Sequence, residues 1–492
     1  MRILSVTTEP LEVPLVDPFV IATARVDVTQ SVLVRVELEE RGTRVTGLGE
    51  AACLQPVTRE GPADVHATIR GITPALVGRS LAPLTLEGFA ALVGDALDGA
   101  PVARAALQVG LLDAVARAEG RHLVSLLDPA IRLPRRFPCD VTLPILPIER
   151  MVTLADEWRA RGFRTFKVKV GHDLDKDRDA LLAVARRVPE ARFRLDANAG
   201  FTVAEAAELL RACLAAGLHI ECFEQPCARE DIDGLEAVQA SAPGVPVIAD
   251  ESLRGRADLD AILARRGRIG GVNLKIVKLG GILEALALGR LARAAGLLVM
   301  VGGMVETRLG MSTGACLAAC FDEVLADLDT AWLLQRDPFT GGYDSEGEIY
   351  EVGRGNGARG GAGVPARLCL DRSRAHSSGF VTSSLCEFAK WPRPGIGTPD
   401  EPKRTCMPGP TGRGVGACAQ ARLRGGRRRT VARGGGRCDR RGWVTRSSAL
   451  PSRRAPARGG AFRDACSPEA GRSRRPDDHN RESLSPAIAH PW

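Results

Sequence analysis

Asp196, Glu224 and Asp250 each close a short apolar run, at steps of 28 and 26 residues, and Lys169 and Lys275 close similar runs on either side of them. Three carboxylates brought to one place repel one another. A hard divalent cation relieves that repulsion, and an all-oxygen shell with room for water and substrate suits Mg²⁺. A lysine on each side of such a centre points to proton transfer. One amine removes a proton from the carbon beside a bound carboxylate, the other returns a proton on the opposite face, and the cation holds the enolate charge. The outcome is inversion of a stereocentre. Lys167 shares a strand face with Lys169. Its ammonium, the dication and partial burial are expected to lower the pKa of Lys169 into the range of a working base. Asn198, two residues beyond Asp196, is expected to support the metal shell.

These residues converge only if a repeating unit carries each to the same rim. Eight apolar runs recur: 140–143, 165–170, 192–196, 219–224, 246–250, 271–275, 297–301 and 323–327, each followed by an Ala/Leu-rich segment of helical spacing. The steps between charged ends match one strand, one helix and short loops. Eight such units predict an α/β fold, a TIM-type (β/α) barrel over residues 129–340, with polar strand ends gathered at its carboxyl-terminal mouth. Ahead of it, residues 1–60 alternate apolar and polar positions, as in Ser31-Val-Leu-Val-Arg-Val-Glu-Leu38, and residues 61–128 change to helical spacing. Together they predict an α+β domain over residues 1–128 that caps the barrel.

The formal charge of +8 is the sum of two unlike parts. Residues 354–492 hold 28 Lys and Arg against 10 Asp and Glu, whereas residues 1–353 hold 39 against 49. From about residue 358 the chain is rich in Arg, Gly, Pro, Ser and Ala without sustained apolar periodicity, so a disordered tail is expected over 358–492. Its composition is that of GC-rich coding sequence translated out of frame. The alternatives are a genuine extension contacting RNA or another polyanion through Arg422-Leu-Arg-Gly-Gly-Arg-Arg-Arg429, and a cysteine metal module, for which the spacing is wrong. No apolar run of about 20 residues predicts a membrane span. The first twenty residues lack a secretory pattern, and the 13 cysteines include no C-x-x-C pair, so a reduced, cytoplasmic protein is expected.

The motifs Lys167-Val-Lys169, Asp196-Ala-Asn198, Phe223-Glu-Gln-Pro226, Ala249-Asp-Glu-Ser252 and Asn273-Leu-Lys-Ile-Val-Lys-Leu-Gly-Gly281 together resemble the enolase superfamily, in its muconate-lactonizing subgroup, over about residues 1–350. The resemblance implies metal binding by Asp196, Glu224 and Asp250. It implies Lys169 and Lys275 as the two bases, with Lys278 the other candidate on the same strand, and supporting places for Asn198, Glu251 and Glu306. It also implies that a loop near residues 17–27 closes over the substrate and that residues 341–357 return to the cap. Ala326-Asp-Leu-Asp329 resembles the Asp-x-Asp motif of dipeptide epimerases, whose two carboxylates on one strand face would pair with a dipeptide's α-ammonium. Arg25 is then expected to bind the carboxylate of an acidic second residue, and L-Ala-D/L-Glu is the first substrate to test. N-acylamino acid racemase and o-succinylbenzoate synthase remain alternatives. So does a catalytically dead protein that binds polyanions through its tail. Val301-Gly-Gly-Met-Val-Glu-Thr307 holds no histidine of the kind a mandelate racemase uses. The partners expected are a dipeptide and further copies of the chain, with no membrane, and with nucleic acid only through the tail.

Overall fold

The computed structural model describes residues 1–353, except Ala82 and Arg266, together with the short strand Cys369–Leu370. The expectations for the tail otherwise lie outside the described residues.

The amino-terminal unit is the expected α+β cap. Strands β1 (Arg2–Leu11), β4 (Gln30–Glu40) and β5 (Thr43–Cys53) form an antiparallel sheet in the order β1-β4-β5, while β2 (Pro14–Val20) and β3 (Arg25–Val28) pair as a separate hairpin. The alternation in β4 sends Val32, Val34, Val36 and Leu38 to one fully buried face. Helices α1 (Pro62–Leu76), α2 (Leu86–Val93), α3 (Pro101–Glu119) and α4 (Leu123–Leu127) follow. Helix α3 is apolar around most of its circumference because it is covered on two sides. On one side it lies against β5 so closely that a methyl group at Gly49 would stand 2.0 Å from the Ala106 carbonyl oxygen. On the other it meets the barrel, where Gln108 donates to Glu284 Oε2 (2.9 Å) and accepts from Leu283 N (3.0 Å).

After β6 (Arg135–Pro138) come the eight expected barrel strands: β7 (Val141–Leu143), β8 (Thr165–Lys169), β9 (Arg192–Asp196), β10 (His219–Glu224), β11 (Val247–Ala249), β12 (Gly271–Lys275), β13 (Leu298–Gly302) and β14 (Leu325–Asp327). They run parallel and pair in chain order. The ring nearly closes where Asp140 N donates to the Ala326 carbonyl (3.2 Å). Between them run α5 (Ile148–Ala160), α6 (Leu174–Arg187), α7 (Val203–Ala215), α8 (Ile232–Ser241), α9 (Arg256–Leu263), the single turn α10 (Ile276–Leu279), α11 (Ile282–Ala294) and α12 (Arg308–Ala318). Local sequence starts several of them: Asp173 caps α6, and Thr202 with Glu205 forms a capping box on α7. Among the described residues no helix is long and apolar enough to cross a membrane.

Two expectations are corrected here. Lys278 lies on the turn α10, not on the strand that carries Lys275. Of the segment expected to return to the cap, the described residues form the hairpin β16 (Asp344–Glu346) and β17 (Ile349–Val352), which pairs with β6 at the entrance to the barrel. The cap meets the chain earlier, where Val16 N donates to Leu333 O (2.8 Å) and Gln335 N to Pro14 O (2.9 Å). Between these, β15 (Phe339–Thr340) pairs with β18 (Cys369–Leu370).

Candidate active site

Strand alternation sends every second side chain of a barrel strand inward, so residues two apart stack in layers along the axis. The lower layer holds the buried pair Arg194 and Asp140 (2.9 Å). Above it, Lys167 Nζ lies 3.0 Å from Asp196, 2.7 Å from Glu224 and 2.6 Å from Asp327. Lys169 Nζ meets Asp196 Oδ2 at 2.6 Å, and Lys275 Nζ meets Asp250 Oδ2 at 2.8 Å and Glu224 at 3.9 Å. Lys169 and Lys275 end the second and sixth of eight strands, so their ammonium groups enter from opposite sides of the mouth.

The floor is a lattice of alternating charge, and its ionisation follows from that. Burial alone would raise Asp196 and Asp250, but the facing lysines outweigh it and hold both well below the usual carboxylate range. Glu224 goes the other way, pushed up to about 7 by burial and by the Asp196 charge. Burial would lower Lys167 and Lys275, yet their carboxylate neighbours hold both above the ordinary lysine value. Lys167 was expected to act as a neighbouring free ammonium for Lys169. Instead its charge is engaged by three carboxylates on three other strands.

Asp196, Glu224 and Asp250 are a donor set suited to a hard cation: three carboxylates, fully buried, at the ends of adjacent strands. Glu224 Oε2 accepts no aligned hydrogen bond although Lys167 Nζ is 2.7 Å away, so a buried acceptor is left for another cation. Among the described residues no three acidic, His or Cys side chains already stand in a closed metal shell, because Lys167 and Lys275 fill the space between the carboxylates. The residues therefore fit Mg²⁺ by chemistry, with the lysine ammoniums having to withdraw.

The supporting residues divide. Asn198 links the lattice, receiving Lys169 Nζ (3.3 Å) on Oδ1 and donating to Glu251 Oε1 (3.2 Å). Glu251 is pushed up to about 7 by burial and by Asp250, and its Oε2 is buried without a partner. Glu306 accepts from Met304 N (2.8 Å) and is pushed up to about 8 by burial and by Glu50, with the Lys275 charge acting the other way. Asn198, Ala199 and Gln225 adopt φ of 43°, 65° and 32°, left-handed values that non-glycine residues rarely hold. This strained backbone follows directly on two of the acidic strand ends.

Asp327 and Asp329 come together as expected, but in unequal states. Asp327 is occupied by Lys167, whereas Asp329 is held by Thr142, whose backbone N donates to Oδ2 at 2.5 Å and whose side chain also bonds the carboxyl. Asp329 Oδ1 is buried with no partner, and the carboxyl is pushed up to about 6 by burial and by Asp327. An incoming cation would find its acceptor here.

Over the floor lies a roof from the cap. The cavity between them, about 20 Å³, is lined below by Lys167, Lys169, Lys275, Asn198, Asp327 and Asp329, and above by Phe19, Ile21, Leu54 and Val57, with Met304 at the side. The Phe19 ring centre is 5.5 Å from Lys169 Nζ. Arg25 is not among the lining residues; it is exposed and paired with Asp27 (2.8 Å). A larger cavity of about 160 Å³ is bordered by Val168, Lys169 and residues of α5 and α6, so Lys169 borders both spaces.

Sequence reasoning missed several groups. Asn273 donates to Glu224 (2.7 Å), and Gln225 accepts from Asp250 N (2.9 Å) and Ser252 N (3.1 Å), so both orient acidic strand ends. Both sit inside the motifs and were legible as polar residues in apolar runs. Glu50 of β5 was not legible. It is fully buried, accepts from Thr307 N (3.0 Å), Thr307 Oγ1 (2.5 Å), Gly310 N (3.0 Å) and Ser31 Oγ (2.8 Å), and ties the cap to the start of α12.

Residues 3–128 match the family profile of the mandelate racemase/muconate lactonizing enzyme N-terminal domain, and residues 150–359 match that of the enolase C-terminal domain-like family. The L-Ala-D/L-amino acid epimerase of Populus trichocarpa is 37% identical over 351 residues, covering 70% of this chain and 80% of that protein. Among solved structures, a substrate-liganded complex of the L-Ala-D/L-Glu epimerase from Bacillus subtilis has a TM-score of 0.67 at 31% identity, covering 75% of this chain and 100% of that one. The dipeptide epimerase of Enterococcus faecalis V583, solved with Mg and the dipeptide L-Leu-L-Tyr, has a TM-score of 0.65 at 30% identity, covering 72% and 98%.

Proposed function

The chain belongs to the enolase superfamily, in its mandelate racemase/muconate lactonizing group, and from that membership we propose that it is a Mg²⁺-dependent dipeptide epimerase acting at the α-carbon of the second residue. The observation that carries the reading is the unpartnered, buried Asp329 Oδ1 on the same floor as two opposed lysines. A dipeptide's α-ammonium would fill that acceptor, with Asp327 beside it. An N-acyl group would leave the carboxylate buried and unpaired, which disfavours an N-acylamino acid racemase or an o-succinylbenzoate synthase. Epimerase names among the relatives and dipeptides bound to structural neighbours support the same reading.

Asp196, Glu224 and Asp250 would hold the cation, which when bound neutralises their charge and stabilises negative charge developing on the substrate's carboxylate. The chain's own part is proton traffic. Lys169 takes the α-proton from one face and Lys275 delivers a proton to the other; the reverse direction exchanges their roles. Asn198 orients Lys169, and Lys167 balances the inner carboxylates. The cavity of about 20 Å³ has room for about one water molecule, so substrate enters only when the β2–β3 hairpin separates from the floor.

The test is α-proton exchange in D₂O, followed by NMR, with L,L-dipeptides and their N-acetylated counterparts, with Mg²⁺ and after chelation. The reading expects Mg²⁺-dependent exchange and inversion with free amino termini only. Exchange confined to the N-acetylated set would move the protein to the racemase branch.

A further inference from the structure

We infer that the substrate's second residue carries an apolar side chain and not the acidic one suggested by the sequence, an inference that rests on the dipeptide-epimerase reading. The cavity is two-faced. Every charged group that lines it lies on the barrel floor and is already assigned: three lysines to the carboxylates or to proton transfer, and two aspartates to the ammonium. The roof offers hydrocarbon alone. Phe19, Ile21 and Leu54 are 6%, 5% and 8% exposed, Val57 is partly buried against the same core, and at the side Met304 is buried.

The roof faces whatever the floor does not hold. With the α-carboxylate, the α-hydrogen and the ammonium-bearing residue directed to the floor, the fourth substituent of the α-carbon is the side chain, and it meets the roof. An isobutyl group there exchanges water for packing. A propionate side chain would be stripped of water against four apolar side chains with no cation to receive it. No arginine lines the cavity: Arg254, which stands near Glu251 and Arg59, is outside it. Arg25 is exposed and bound to Asp27, and Arg59, two residues beyond Val57, is exposed and outside the lining. Two contacts set where the hairpin rests when it lies over the floor: Asp17 pairs with Arg150 of α5 (2.6 Å) and Ile145 N donates to Val20 O (3.1 Å).

The experiment compares kcat/KM for epimerisation of L-Ala-L-Leu, L-Ala-L-Gln and L-Ala-L-Glu by the full chain with Mg²⁺. The expected order is Leu, then Gln, then Glu, with Leu over Glu by about a hundredfold or more. Glu turned over as well as Leu would overturn the inference while leaving the epimerase intact. No turnover of any of the three, with exchange in N-acetyl-leucine, would overturn the underlying reading as well. Val57→Arg, at a partly exposed position, should narrow the Leu-to-Glu ratio at least about tenfold by placing a cation on the roof. Arg25→Ala should leave the ratio within about twofold, and a selective loss of L-Ala-L-Glu turnover in that variant would also overturn the assignment.

Discussion

The floor and the roof of the cavity are built on opposite principles. On the floor, each charged group is fixed by a partner on another strand: Lys167 by Asp196, Glu224 and Asp327, Lys275 by Asp250, and Arg194 by Asp140 one layer below. The roof is apolar, comes from the cap, and reaches the barrel through a few ties, among them the buried Glu50. A reaction that creates charge needs preorganised charge, which the barrel provides where its strands end. Selecting a side chain needs only shape and hydration. On the proposed reading, chemistry and selectivity reside on separate elements, so a substitution should move one without the other.

The largest effect expected is on the floor. Lys169→Ala and Lys275→Ala should each lower epimerisation by about 10⁴-fold or more, since each removes one of the two proposed proton carriers. If the faces are divided as proposed, the two variants should retain residual solvent exchange with opposite epimers, read by NMR in D₂O. Loss of the same epimer's exchange in both would break the assignment of one lysine to each face. Next comes the tie between the regions. Glu50→Ala leaves four donors without an acceptor, two of them backbone N–H groups at the start of α12, and should cost about 3 kcal/mol in chemical unfolding. An unchanged midpoint would show that the cap is held by its other contacts. Smaller again, Asp329→Asn should raise KM for free-amino dipeptides about tenfold to a hundredfold and leave any N-acetylated substrate unaffected. Equal effects on both would remove the ammonium from this position.

The two regions also differ in what the sequence disclosed. The floor was legible because a βα repeat places charged residues at a fixed period, and Lys169, Asp196, Glu224, Asp250 and Lys275 all close strands or follow them directly. The pairings among them were not legible. Lys167 was read with Lys169 because they are two apart, but its partners lie on other strands, beyond what local spacing encodes. The roof was illegible for a different reason: Phe19, Ile21, Leu54 and Val57 are apolar residues in a domain full of them. That left Arg25, the one charge in the cap loop that suggested chemistry, as the candidate, and the structure pairs it with Asp27 instead. Glu50 and Thr307 are separated by 257 positions, and the return of β16–β17 to β6 is equally non-local.

The smallest effect tests whether burial alone separates the two regions' carboxylates. Two acids serve the start of α12: Glu50 from the cap, fully buried, and Asp337 from the barrel side, which accepts from Arg308 N (2.6 Å) and Phe339 N (2.8 Å) and remains partly exposed. Burial pushes the Asp337 carboxyl up to about 6, and the neighbouring Glu50 charge adds to it. The folded protein therefore binds this proton more tightly than the unfolded chain, whose ordinary aspartate value is about 3.9. Its contribution to stability is fully present below about pH 4 and is lost as pH rises through about 6. Asp337→Asn keeps an acceptor for the backbone but cannot titrate. The stability difference between wild type and this variant, followed by urea unfolding from pH 4 to pH 7, should shift by about 1–2 kcal/mol, with the wild type relatively better at the acid end. A flat difference would mean that the partial exposure of Asp337 keeps it in ordinary carboxylate range, and that Glu50 is the one acid of the pair whose protonation responds to the cap.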